Sequence, residues 1–86
     1  MQADTILLAS AVITLAGGVD NVEHVGRCLV RLRLRLLRPE DADVDAIGAL
    51  PGVSIAIRQG REVHVAPAAG LDALHATVCA GVGARR

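Results

Sequence analysis

Arg27-Cys28-Leu29-Val30-Arg31-Leu32-Arg33-Leu34-Arg35-Leu36 is the stretch from which the fold of this chain can be read. Arginine and leucine alternate with the period of a β-strand, so Arg31, Arg33 and Arg35 share one face while Leu32, Leu34 and Leu36 line the other. A strand is expected over Val30 to Leu37, leucines inward. Continued as one straight strand, Cys28 would point into the core with Leu32 and Leu34, so a turn or bulge near Cys28 is needed to bring its sulfur to the charged side. A thiolate, or a phosphate carried on sulfur, is stabilised in such a place.

The rest of the chain supplies partners for that strand. Asp4 is placed to cap a helix running from Ile6 to Ala16, which Gly17-Gly18 stops. This helix is apolar nearly all round and is expected to lie buried against a sheet. Asn21 to Arg27 reads as a short first strand with Val22 and Val25 inward. After the arginine strand, Pro39 and the acidic run Glu40-Asp41-Ala42-Asp43 introduce a short helix from about Val44 to Leu50, which Pro51-Gly52 ends. Val53 to Ile57 alternates as a third strand, Gln59-Gly60 turns the chain, and Glu62 to Ala66 forms a fourth that Pro67 stops. Leu71, Leu74, His75, Val78 and Val82 recur at helical spacing in the last element. The order α-β-β-α-β-β-α suits an α+β two-layer sandwich, a four-stranded antiparallel sheet with helices on one face.

With 86 residues, of which 52% are hydrophobic, the chain forms one small domain over 1–86 with a thin core. Nine basic and nine acidic side chains cancel, so no overall field draws the protein to nucleic acid or to a membrane. Five of the nine basic residues nevertheless fall between Arg27 and Arg38. Phe, Trp and Tyr are absent, which argues against functions that stack bases or sugar rings on aromatic faces. Two cysteines, Cys28 and Cys79, are too few for a disulfide scaffold. The apolar run from Thr5 to Ala16, about 12 residues, is far short of a bilayer span. A reduced, cytoplasmic protein without direct membrane insertion is expected, one that reaches an inner membrane only through a partner.

The motifs resemble a known family. Leu15-Ala16-Gly17-Gly18, Asn21-Val22, Cys28-Leu29-Val30-Arg31-Leu32-Arg33, Val44-Asp45, Gly52-Val53 and Val63-His64-Val65, in this order and spacing over about residues 4–80, resemble the enzyme IIB domain of the glucose/N-acetylglucosamine class of the bacterial phosphoenolpyruvate-dependent sugar phosphotransferase system. The resemblance implies a phosphotransferase component: a phosphocarrier that takes phosphate from a histidine of an enzyme IIA partner and passes it to a sugar held by a membrane enzyme IIC permease. It implies Cys28 as the phosphorylated residue, Arg31 and Arg33 as the catalytic pair beside it, and a phosphate site made of Leu29, Val30, Arg31 and Arg33. It calls for no cofactor, no metal and no nucleic acid.

Residue chemistry agrees with that implication. A free thiol of pKa ~8.5 is only a few per cent thiolate at neutral pH, and neighbouring guanidinium groups raise the fraction. Their forks also match phosphate oxygens, and backbone N–H groups in a tight turn over Cys28 to Val30 add donors. Departures from the family pattern are Val30 in place of threonine, Arg38 for aspartate, His64 for glutamine and Ala66 for glycine. They leave a second reading open, a degenerate regulatory or docking module of the same fold. Arg35 reads as a surface residue, Cys79 as a small buried hydrophobe, and His24, His64 and His75 as surface or satisfied side chains. The pairs His24/Cys28 and His75/Cys79 match no standard zinc spacing.

Overall fold

Alternation becomes architecture in the computed structural model, which describes residues 3–83. Helix α1 (Ala3–Leu15) is followed by a 3-10 turn at Val19–Asn21 and by strands β1 (Val22–Arg27) and β2 (Leu32–Leu36). A second 3-10 turn (Pro39–Asp41), helix α2 (Val44–Gly48), strands β3 (Val53–Gln59) and β4 (Glu62–Pro67) and helix α3 (Leu71–Gly83) complete the chain. The strands form one antiparallel sheet in the order β1-β2-β4-β3, so the arginine strand is central. This is the expected α+β arrangement in the expected order.

Leu32, Leu34 and Leu36 are wholly buried and pack with Val63 and Val65 of β4 against Val12 of α1, Ala16 just beyond it, Ile47 of α2 and Leu74 and Val78 of α3. A ladder of leucines flanked by arginines on the opposite face is what a sheet covered on one side demands. Val22 and Val25 both turn inward, opposite Leu36 and Leu34, although they are three residues apart; a bulge between Val22 and His24 absorbs the odd residue.

Helix α1 is buried less completely than its composition implies. Ala9, Val12 and Ala16 are inside, but Ile6 and Leu7 are exposed, because in a two-layer fold the far side of a helix has nothing to lie against. Asp4 belongs to its first turn rather than preceding it, where its charge still complements the helix dipole. Asp43 does cap α2, accepting from the Ala46 N–H at 3.0 Å. The arginine strand is shorter than expected, beginning at Leu32 and ending at Leu36, since Val30 and Arg31 are used by the turn. Likewise α2 stops at Gly48 rather than Leu50.

Asn21 ties the frame together. Its wholly buried amide donates to the Ala16 carbonyl (2.8 Å) and the Arg38 carbonyl (2.9 Å) and accepts from the Arg38 N–H (2.8 Å). One side chain therefore holds the end of α1 to the segment leaving β2. Gly17, at φ 106°, makes room for it: a Cβ there would stand 2.6 Å from the Asn21 amide nitrogen. Arg38 pairs its guanidinium with Asp41 at 2.7 Å and so closes the acidic turn locally.

Candidate functional site

The β1–β2 hairpin brings the expected site residues to its tip. Arg27 and Leu32 form the last strand pair, and the Cys28 N–H donates to the Arg31 carbonyl at 3.0 Å, leaving Leu29 and Val30 as the outermost residues. Neither has a positive φ, so this is not the primed turn that tight hairpins favour. The chain turns where side-chain parity required it to. Leu29 is 88% exposed and Val30 60%, two apolar side chains projecting into solvent beside a cysteine.

Cys28 is exposed and unoxidised, its sulfur 3.8 Å from the Arg31 carbonyl oxygen. Desolvation, the largest single influence, opposes ionisation of the thiol. The backbone N–H groups of Val30 and Arg31 and the charges of Arg33 and Arg31 outweigh it and hold the thiol below the ordinary cysteine range. All of these groups lie in the stretch that the alternation singled out. Two turn amides and the charges of two nearby arginines thus favour negative charge on one sulfur.

Arg31 is half-buried at the foot of the turn, whereas Arg33 stands on the open face of the sheet. Arg33 does not stand alone: its Nη2 donates to Glu62 Oε1 at 2.9 Å, and the Nε2 of His64 lies 3.0 Å from the same oxygen. Hydrogen bonds from His64 and Arg33 keep the Glu62 carboxyl below the usual carboxylate range, overcoming a small desolvation. A shallow depression of about 350 Å³ lined by His24, Gly26, Arg27, Arg33, Arg35 and Glu62 lies on this face. Another depression, about 640 Å³, is a mainly apolar groove between α1 and the Leu50–Gly52 segment and holds none of these groups.

Some sequence expectations need correcting. His64 is neither a surface nor a satisfied residue: it is 6% exposed and its Nδ1 has no hydrogen-bond partner among the described residues. It was missed because its burial arises from neighbouring strands, on a face that no helix covers. Glu62 was missed as well, although parity puts Glu62 and His64 on one face of β4, where pairing with β2 sets them against the arginines. Arg27 forms an ion pair with Asp72 in the first turn of α3, bracing the end of β1. Cys79 is half-buried with its sulfur 3.6 Å from His75 Nε2, one turn earlier in the helix. Among the described residues no three His, Cys, Asp or Glu side chains converge as a metal site, and no helix is long and apolar enough to cross a membrane.

Comparison with known proteins gives two likenesses. Over 62 residues, 71% of this chain, the sequence is 29% identical to the PTS system MurNAc-GlcNAc-specific EIIBC component of Staphylococcus saprophyticus. The chain spans 13% of that protein's length. Its fold matches the crystal structure of one domain of a PTS system IIabc component from Clostridium difficile with a TM-score of 0.73, covering 91% of this chain and 83% of that one at 16% identity. No protein-family model matches the chain.

Proposed function

We propose that this chain, whose sequence and structural likenesses support a IIB domain of the glucose/N-acetylglucosamine class of the phosphotransferase system, carries a phosphoryl group on Cys28. The observation behind this reading is the exposed sulfur at a hairpin tip, with amides and guanidinium groups that favour its anion. The Cys28 thiolate attacks the phosphorus of a phosphohistidine on a IIA-type donor. The P–N bond breaks as the S–P bond forms, and the donor imidazole leaves as the neutral ring with a proton on its other nitrogen.

Little covalent work falls to the protein in such a transfer; positioning and charge neutralisation dominate. Arg31 and Arg33 face the phosphoryl oxygens with planar donor forks, and the Val30 and Arg31 amides add directed donors. Onward transfer reverses the logic: a sugar hydroxyl held by a IIC-type permease attacks phosphorus and the thiolate leaves. The same charges that stabilise the thiolate as nucleophile make it a good leaving group, which suits a carrier. Leu29 and Val30 supply an apolar tip that a partner can cover while the sulfur is engaged.

Incubation with a phosphorylated IIA domain, read by intact mass, tests this. The expected result is a mass gain of one phosphoryl group that Cys28→Ser abolishes. An unmodified chain under conditions that load an active IIB domain would instead support a docking module of the same fold, the reading prompted by Val30, Arg38 and Ala66.

A further inference from the structure

The sheet has two outer strands, and their edges are not built alike. β1 carries Glu23, His24 and Arg27 within six residues, a bulge between Val22 and His24, and a brace from Arg27 to Asp72 of α3. Charges and bulges are what keep an edge strand from pairing with another chain. β3 is guarded less. Its bulge lies at its start, between Val53 and Ile55, and the straight stretch Ile55-Ala56-Ile57-Arg58-Gln59 holds a single charge, with Ile55 exposed on the helix-free face.

Register shows which backbone groups this edge offers. Gln59 and Glu62 close a two-residue loop and bond to each other, and alternation then directs Ile57 to His64 and Ile55 to Ala66. The other side of β4 agrees: the Leu36 N–H donates to the Arg61 carbonyl, so Arg61 faces β2 and Glu62 faces β3. That leaves Ala56 and Arg58, whose N–H and C=O groups point out of the sheet and bond to no other segment among the described residues.

We propose that this edge pairs with a second copy of the chain, β3 against β3, antiparallel about a two-fold axis at Ile57. Ala56 of each copy then meets Arg58 of the other, and both pairs exchange N–H···O=C bonds. Ile57 stands against its own copy as a closely spaced pair and Ile55 against Gln59, all on the helix-free face. The stretch is complementary to itself in charge and size only in this register. Arg58 falls opposite the small Ala56, whereas an axis at Arg58 would set cation against cation. An axis at Ala56 or Ile55 would draw Ser54 of the bulge into the ladder.

A two-fold axis normal to the sheet keeps the helices of both copies on one side and both arginine faces on the other. Each Cys28 tip stays uncovered, because β2 and β4 lie between β1 and the seam. Pairing through β3 therefore does not depend on what Cys28 carries. One strand pair buries well under the ~1,600 Å² of a standard interface, so the association is weak, with a dissociation constant of about 10⁻⁴ M.

Sedimentation equilibrium of the reduced chain from about 10 μM to about 1 mM spans that constant. The mass is expected to rise from the 8.9 kDa of one chain toward twice that value. Ile57→Lys sets two cations face to face, and Arg58→Pro removes an outward N–H that β4 does not use; each weakens the dimer at least ~10-fold while circular dichroism shows a folded chain. Register is read by cross-linking with diamide in a Cys28→Ser, Cys79→Ala background. Ile57→Cys forms a disulfide dimer alone, whereas Ile55→Cys and Gln59→Cys form one only when mixed, because each comes within disulfide range only of the other. A chain that stays single throughout the range overturns the proposal and leaves the edge to a strand of another protein. So does a dimer that survives both substitutions, or a disulfide formed as fast by Ile55→Cys alone as by Ile57→Cys.

Discussion

The β1–β2 and β3–β4 hairpins reverse the chain at opposite ends of the same sheet, and they do so by different means. At the β3–β4 end Gly60, with φ 60°, takes the first tip position of a two-residue loop, the backbone geometry that a tight hairpin prefers. Its neighbours tie it back: Arg58 Nε donates to the Gly60 carbonyl, Arg61 Nη2 to the Leu37 carbonyl, and the Leu36 N–H to the Arg61 carbonyl. At the β1–β2 end there is no glycine, and the tip exposes Leu29 and Val30 beside a thiol. One turn is built from what the backbone favours. The other places large apolar side chains where folding gains nothing from them, so its sequence answers to what it meets outside.

That contrast can be broken or sharpened by substitution. The largest effect is expected from Arg33→Gln, which on the proposed reading removes a charged donor from the phosphoryl group. On the scale of about 1.5–3 kcal/mol for a charged hydrogen bond it should slow onward transfer tenfold or more. Loading should suffer less, and single-turnover kinetics of each half-reaction would reveal any inversion of that order. Next comes the thiol itself. Because its neighbours hold Cys28 below the ordinary cysteine range, its alkylation at neutral pH should be several-fold faster than that of a free cysteine of pKa ~8.5. The rate falls as pH drops through the depressed midpoint, and Arg31→Gln together with Arg33→Gln moves that midpoint up.

At the opposite end, Gly60→Ala forces a side chain into the left-handed region and should lower stability by about 1 kcal/mol. Urea denaturation measures this, and phosphoryl acceptance should be untouched; an effect on acceptance would mean that the two ends communicate. Smallest is Val30→Thr, which places a hydroxyl at the hairpin tip. It should quicken acceptance by a few-fold at most, the worth of about 1 kcal/mol or less from one hydrogen bond, and a jump from none to full activity would mark the native chain as a docking module.

The central strand was legible because its pattern is redundant. Three leucines and their intervening arginines leave one assignment of faces, and parity then demanded a turn at Cys28. What could not be read was where that turn ends: the hydrogen bond from Cys28 to Arg31 takes Val30 and Arg31 out of the strand. Pairwise relations across strands were also hidden. Glu62 and His64 were seen only as members of a strand, because their meeting with Arg33 depends on the β2–β4 register, and β2 and β4 are separated in sequence by α2 and β3. Asn21 looked like the first residue of a strand, whereas its amide joins three segments that only the folded chain brings together.

Leu29, at 88% exposure, also sets a limit on time. Such a tip has no wall to exclude water, so the phosphoryl group proposed for Cys28 would last only as long as its own bond to sulfur resists hydrolysis. Persistence then depends on how quickly the next molecule arrives, and a cell would sustain such a carrier by the frequency of encounters rather than by enclosure.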